Sequence, residues 1–223
     1  MSVSFVTVGA FQENSYLLAD PETGDAIFID PGDADPRILG MAELTGVTPR
    51  AIWLTHGHLD HIGGIAMVKR RYDIPIYLHP ADRAVYDAQL FFAESYDLSF
   101  EVPPPPDREL ADGDVVSVGG FRFHVIHTPG HAPGHVIFRG TDMSDGEPRL
   151  IALGGDLVFA GSIGRTDLPL ASAADMDDSL KKLRTLSPQT VIYPGHGPKV
   201  TLRDELRTNP FLNGTAYVKG YST

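Results

Sequence analysis

The chain alternates short apolar runs with longer stretches in which apolar positions recur every three or four residues. The short runs read as strands: 3–8 (VSFVTV), 15–19, 26–30 (AIFID), 51–54 (AIWL), 74–78 (IPIYL), 115–118, 121–127, 135–138, 149–153 and 190–193. The helical spacing predicts helices over 36–46, 62–72, 81–97, 173–186 and about 202–208. In the first, Ile38, Leu39, Met41, Ala42 and Leu44 can form a buried face, and Gly46 is a stop. The second ends in Lys69, Arg70 and Arg71, cations that suit the negative end of a helix dipole. In the third, Val85, Ala88, Phe91, Phe92 and Ser95 are spaced as one face. Four consecutive prolines at 103–106 cannot donate to a ladder and predict an extended connector. No repeat and no break in composition divides the sequence. Periodicity alone gives the α/β class. The preferred arrangement is one domain over residues 1–223, with two sandwiched sheets and helices outside.

Composition narrows the function. The 223 residues are 42% hydrophobic and 21% charged, which rules out wholesale disorder. Lys plus Arg is 18 against 29 Asp plus Glu, a formal charge of −11, so the basic footprint that a polynucleotide needs is missing. There is no cysteine, which excludes disulfides, thiolate metal sites and a cysteine nucleophile. Any metal must be held by carboxylates and the nine histidines. The N-terminal stretch lacks the basic-then-apolar pattern of a secretory signal, and no run reaches the ~18 apolar residues of a membrane span. The expectation is a cytoplasmic protein with no nucleic-acid and no membrane partner.

The chemistry concentrates in Thr55-His56-Gly57-His58-Leu59-Asp60-His61, where three imidazoles and a carboxylate fall within six residues between a strand and a helix. His56 and His58, two apart, point the same way in extended chain, while Asp60 and His61 lie beyond the bend and can aim at a second point nearby. Neutral imidazole and carboxylate suit zinc, iron or manganese. Three later apolar runs also end in a donor: FHVIHTPG leads to His131, LIALGG to Asp156 and VIYPG to His196. Four strands thus deliver donors from their C-terminal ends, the edge at which open α/β sheets bind ligands. Gly130, Gly155 and Gly195 stand beside the three later donors. Five histidines and two aspartates suffice for two metals with one shared carboxylate.

Taken together, THGHLDHIGG, TPGHAPGH, GGDLVFAGSIGRTDLP and YPGHGP resemble the metallo-β-lactamase-fold hydrolases, and within them the short glyoxalase II-like branch of hydroxyacylglutathione hydrolases. GAFQENSYLL, IDPGD and NPFL resemble that branch as well, so the likeness runs from about residue 3 to residue 213. It implies an αββα sandwich with a dinuclear site at one edge of the sheets. It also implies that His56, His58 and His131 hold one metal, that Asp60, His61 and His196 hold the other, and that Asp156 bridges them. Two divalent metal ions are then the cofactor, zinc first and iron or manganese as alternatives. The implied reaction is attack of metal-activated hydroxide on a small-molecule thioester such as S-lactoylglutathione, a glutathione conjugate. Asp60 is the candidate catalytic residue, either as a ligand only or also orienting the hydroxide.

Other residues carry two readings each. Asp30, in IDPG, either orients a ligand loop through a hydrogen bond or is a turn aspartate. Arg165, in GRTD, either meets an anionic substrate group or pairs with Asp167. His135 is expected not to be a ligand, because both sites are already filled, and His79, His124 and His127 are expected to serve turns or packing. Tyr16, Tyr193 and Phe159 are expected in the core. The long glyoxalase II enzymes carry a C-terminal helical region whose basic residues grip glutathione. Here 27 residues follow His196 and the last ten hold one lysine, Lys219. Asp167 also stands near where the long enzymes place an aromatic residue. Both departures weigh against glutathione recognition but not against the metal chemistry. Alternatives of the same fold are an iron-dependent persulfide dioxygenase, with one iron on His56, His131 and Asp156, and a lactone or β-lactam hydrolase. A metal-binding module without catalysis is the third class.

Overall fold

Most of the strand runs are apolar at successive positions rather than alternate ones, so both faces of each sheet need cover. The computed structural model describes residues 1–142 and 146–218, which leaves Lys219 outside. The first sheet follows the chain in order: β1 (Ser2–Val8), β2 (Glu13–Ala19), β3 (Asp25–Ile29), β4 (Thr48–Trp53), β5 (Ile76–Leu78) and β6 (Arg108–Glu109). It is antiparallel from β1 to β3 and parallel from β3 to β6. The second sheet contains β7 (Val115–Val118), β8 (Phe121–His127), β9 (Val136–Asp142) and β10 (Arg149–Gly155). After the small hairpin β11 (Val158–Phe159)–β12 (Ser162–Ile163), it is completed by β13 (Val191–Pro194) and β14 (Val200–Thr201), in the order β14-β13-β10-β9-β8-β7.

Side chains alternate between two layers of core. In β2, Tyr16 and Leu18 face the second sheet while Leu17 and Ala19 face outward. In β3, Ile27 and Ile29 face inward against Ala26 and Phe28. Trp53, Phe123 and Phe138 meet in the middle of the sandwich at ring distances of 5.7 and 5.3 Å. The outer face of the first sheet is covered by α1 (Pro36–Thr45) and α3 (Ile65–Tyr72), which contribute Ile38, Met41, Ile65 and Val68. The outer face of the second is covered by α6 (Ala173–Arg184) and α7 (Leu202–Thr208), which contribute Met176, Leu180, Leu183 and Leu202. This is the αββα sandwich.

Two predicted helices are broken. The 62–72 stretch opens earlier, as α2 (Leu59–Ile62), and restarts at Ile65 after Gly63 and Gly64. A side chain at Gly64 would stand 2.3 Å from the Asp33 carbonyl oxygen, so the chain passes there without one. The 81–97 stretch is a 3₁₀ turn at Pro80–Asp82, then α4 (Arg83–Asp87) and α5 (Gln89–Ser95). Its joint is Ala88, whose N–H bonds three residues back to Val85. The 103–106 connector forms neither helix nor strand, and leads to β6. The two-residue strands β6, β11, β12 and β14 are too short to show a period. Among the described residues no helix is long and apolar enough to cross a membrane.

Candidate metal centre

The loops after β4, β8, β10 and β13 converge at one edge of the sandwich, and they bring all seven proposed donors together. His56, His58 and His131 form one group, and Asp60, His61 and His196 a second. Asp156 joins His56 and His61 in a third, with the ligand atoms of each group within 4.8 Å of one another. His131 Nε2 lies 3.4 Å, and His196 Nε2 3.5 Å, from Asp156 Oδ2. His61 Nε2 lies 3.5 Å from Asp156 Oδ1. Asp156 is therefore central to both sets.

Each imidazole but one is fixed by its far nitrogen. His56 Nδ1 sits 3.0 Å from Thr55 Oγ1, and that hydroxyl donates to Asp30 Oδ2 at 2.6 Å. His61 Nδ1 sits 3.0 Å from the same carboxylate oxygen. His131 Nδ1 faces the Arg165 carbonyl at 2.9 Å, and His196 Nδ1 the Gln12 carbonyl at 3.3 Å. Such partners on Nδ1 fix the ring orientation and turn Nε2 toward the site, where it can serve a cation once it carries no proton. His58 is the exception, with its Nδ1 2.9 Å from His131 Nε2. Asp30 also accepts the Thr55 backbone N–H at 2.8 Å. It does so from a left-handed backbone conformation, φ 47°, an outlier that costs of order 1–3 kcal/mol and recurs at functional sites.

The donor set passes a direct test of fit. His56 Nε2, His61 Nε2 and Asp156 Oδ1 are buried and have no hydrogen-bond partner. Three such atoms within one cluster are what a bound cation satisfies and an ordinary core does not tolerate. Gly195 allows this crowding, since a side chain there would stand 2.2 Å from Asp156 Oδ1 and 2.7 Å from His61 Cε1.

Charge divides the two sets. Burial pushes the pKa of His56 well down, helped by the neighbouring imidazoles His61, His58 and His131. Burial, and after it His131, pushes His58 down to about 3. In the other set burial also opposes charge on His196, but hydrogen bonds to Asp156 and Asp60 outweigh it and raise its pKa to about 10. His61 is raised well above the ordinary range against burial by Asp156 and Asp60. Asp156 is held well below the carboxylate range, because the charge of His61 and the hydrogen bond from His196 overcome its burial.

The structure places the remaining residues as follows. His135 turns its Nε2 to accept the Asp156 backbone N–H at 3.0 Å, and its Nδ1 sits 2.9 Å from Thr128 Oγ1. It thus braces the central aspartate from behind. His79 and His127 stack on each other at 4.2 Å, and His124 is exposed on β8. Arg165 pairs with Asp167 at 2.8 and 3.0 Å, and also lines the cavity above the cluster. Tyr16 is buried, with its hydroxyl on the Pro194 carbonyl at 2.7 Å, and Tyr193 is half-buried. Phe159 differs from expectation: it lines the cavity, 5.8 Å from the His196 ring.

Three contributors were not singled out from sequence. Glu13 is buried behind His61 and Asp30, and burial raises its pKa well above the usual range. Asn14 donates to the Pro194 and Gly197 carbonyls and so holds the His196 loop. Asp82 accepts the Gly57 and Gly134 N–H groups at 2.6 Å each, joining the His56–His58 loop to the His131–His135 loop. Their one sequence signal is polar side chains at positions that the fold buries.

Comparison with known proteins agrees with this geometry. The Metallo-beta-lactamase superfamily domain matches residues 8–196. The hydroxyacylglutathione hydrolase GloC of Haemophilus influenzae is 34% identical over 96% of this chain and 99% of its own. The di-iron-bound crystal structure of TTHA1623 superposes with a TM-score of 0.82 at 43% identity, covering 94% of this chain and 100% of that one. The crystal structure of the B3 metallo-beta-lactamase BLEG-1 gives 0.83 at 32% identity, covering 96% and 100%. With its two-sheet sandwich and its His/Asp cluster at the sheet edge, the chain belongs to the metallo-β-lactamase superfamily.

Proposed function

We propose that this metallo-hydrolase cleaves thioesters, with S-lactoylglutathione-like hydroxyacyl thioesters as the reference substrates. The observation that carries the reading is the pair of complete ligand sets around one central Asp156, with three buried atoms awaiting a partner. His56, His58 and His131 would hold one divalent cation, Asp60, His61 and His196 the other, and Asp156 both. When bound, such a pair supplies a hydroxide nucleophile near neutral pH and stabilises a developing oxyanion. All seven donors are nitrogen or oxygen, so zinc, iron and manganese all suit them, and zinc is the first assignment.

The protein's own groups do the rest. Asp30 and Thr55 keep the His56 and His61 rings turned edge-on to the site, so that no side chain has to reorganise as charge develops. Asp60, less buried than Asp156, holds an oxygen 3.2 Å from His196 Nε2 and faces the cavity, where it can orient the attacking water. A thiolate leaves without strong protonation, so the reaction needs no general acid beside the cluster. Arg165 lines the cavity while paired with Asp167, so it could meet an anionic substrate group only by giving up that pair.

The test is elemental analysis of the purified protein beside a thioester panel. The expected result is two metal equivalents per chain, with hydrolysis abolished by chelation and restored by a divalent cation. One tightly held iron, oxygen uptake with glutathione persulfide and no thioester turnover would overturn the proposal in favour of a dioxygenase. That chemistry would use His56, His131 and Asp156 and leave His58, Asp60, His61 and His196 without a purpose.

A further inference from the structure

The donor cluster is the floor of a cavity of about 460 Å³, a size that takes a substrate larger than a lactoyl group. Its walls are unlike its floor. Leu59, Val85, Ala88, Phe92, Leu168 and Pro169 line it with hydrocarbon. Outside the donor cluster, the charged side chain among the described residues of the wall is Arg165, already engaged with Asp167. Glutathione carries two carboxylates and an ammonium, and this wall has little to pair with them.

The apolar character continues outward to the rim. Phe11, Tyr96 and Leu170 all line the cavity, yet are 41%, 57% and 60% exposed. The Phe11 and Tyr96 rings meet edge to face at 5.7 Å, which fixes one side of the mouth. On the other side Leu170 sits at φ 65°, a left-handed conformation unfavourable for a bulky residue. The turn is pinned by Ala171 N–H on the Leu168 carbonyl at 3.0 Å and by Ser172 N–H on the Gly130 carbonyl at 2.7 Å. A strained, exposed leucine adds nothing to the core. Against a substrate it supplies apolar surface where the cavity wall meets solvent.

We propose that the preferred substrate carries an apolar group of about medium-chain length beside the scissile carbonyl, lying between Phe92 and Tyr96 on one side and Leu168 and Leu170 on the other. The inference rests on the thioester-hydrolase reading and moves the preferred substrate away from lactoylglutathione. The shared chemistry is an alkyl or aryl group, and it can belong to the acyl half or to the thiol half of the thioester.

The experiment uses the as-purified protein and two substrate arms. One is acetyl, butanoyl, hexanoyl and octanoyl thioesters of N-acetylcysteamine. The other is acetyl thioesters of N-acetylcysteamine and of benzyl mercaptan. S-lactoylglutathione is run beside both. The expected result is a rise in kcat/KM of about threefold to fourfold per CH₂ along the acyl arm, or a comparable preference for the benzyl thioester along the thiol arm. Leu170→Gly, which the positive φ accommodates without strain, should flatten that preference while the protein stays folded. A readout that needs no turnover is calorimetric binding of octanamide and acetamide: octanamide should bind more tightly, and Leu170→Gly should narrow the difference. Octanamide binding that depends on Leu170, with no thioester cleaved, would support the apolar site and refute the hydrolase reading. Cleavage indifferent to chain length on both arms, with no octanamide binding, would overturn the inference and leave the hydrolase reading intact. A mouth covered by a second copy of the chain, seen as a Leu170-dependent dimer without chain-length preference, would overturn it as well.

Discussion

The two ligand sets differ in how they hold protons, although they share an aspartate. His56, His58 and His131 are imidazoles packed against one another, and burial lowers the pKa of each, with repulsion from neighbouring imidazoles adding to it at His56 and His58. His61 and His196 face Asp60 and Asp156, and these carboxylates hold protons on them. The first set is ready for a cation as it stands. The second must release protons first. Donor identity alone would make the sets near-equivalent, and the placement of two carboxylates separates them.

The largest effect should come from the residue common to both. Asp156→Ala removes the link between the sets and leaves His61 and His196 without their partner. Thioester hydrolysis should fall below detection, and bound metal should drop by at least half on elemental analysis. Normal turnover by the purified variant would refute the shared-carboxylate assignment. His58→Ala and His196→Ala sharpen the comparison, since each should lower occupancy mainly in its own set.

Asp30→Asn reaches both sets at once, because its Oδ2 serves His61 directly and His56 through Thr55. Loss of an orienting carboxylate costs about 10–100-fold in metal affinity or activity. Competition with a chelator of known affinity should show both binding steps weakened. Weakening of the His61 step alone would mean that Thr55 holds His56 without Asp30.

The proton difference predicts a pH dependence of loading. Cations and protons compete for His61 and His196, whose pKa values are raised, so affinity at the second set should rise with pH. The slope is about tenfold per pH unit for each proton displaced. At the first set the imidazoles are already neutral, and affinity should be nearly flat above about pH 6.5. Titrations in metal buffers between about pH 6 and 8 would resolve the two steps. Equal slopes would erase the distinction between the sets.

The seven donors were legible in the sequence because each follows an apolar run or sits within the THGHLDH loop, so strand ends announce them. The α/β class was legible in the alternation of apolar runs with helical spacing, while the αββα sandwich was legible through the resemblance of the motifs. What positions the donors was not. Thr55 stands in the motif, but its hydroxyl relay to Asp30 depends on a left-handed turn 25 residues earlier. His135 looked like a spare histidine until the β10 exit brought the Asp156 N–H to its ring. The break at Ala88 was hidden because helical spacing continues across it. Phe159 was assigned to the core because an aromatic in a short strand gives no sign of which surface it faces.

At neutral pH the smallest predicted effect lies behind the first set. Asp82 clamps the loops of His56–His58 and His131–His135, and burial raises its pKa to about 6 against the hydrogen bonds from Gly134 and Gly57. An aspartate with a raised folded pKa contributes most below its unfolded value of 3.8, and that contribution is lost as pH rises toward about 6. The stability of the native chain relative to Asp82→Asn should therefore fall by roughly 3 kcal/mol across that window. Above it, the variant's amide must present an N–H to one of the two backbone donors, and the unmade hydrogen bond costs about 1–3 kcal/mol. These two effects nearly cancel at neutral pH, so urea midpoints for the two proteins should converge there and separate only in acid. A gap that stays constant from acid to neutral pH would show that Asp82 titrates alike in the folded and unfolded chain, and that its burial between the two loops does not raise its pKa.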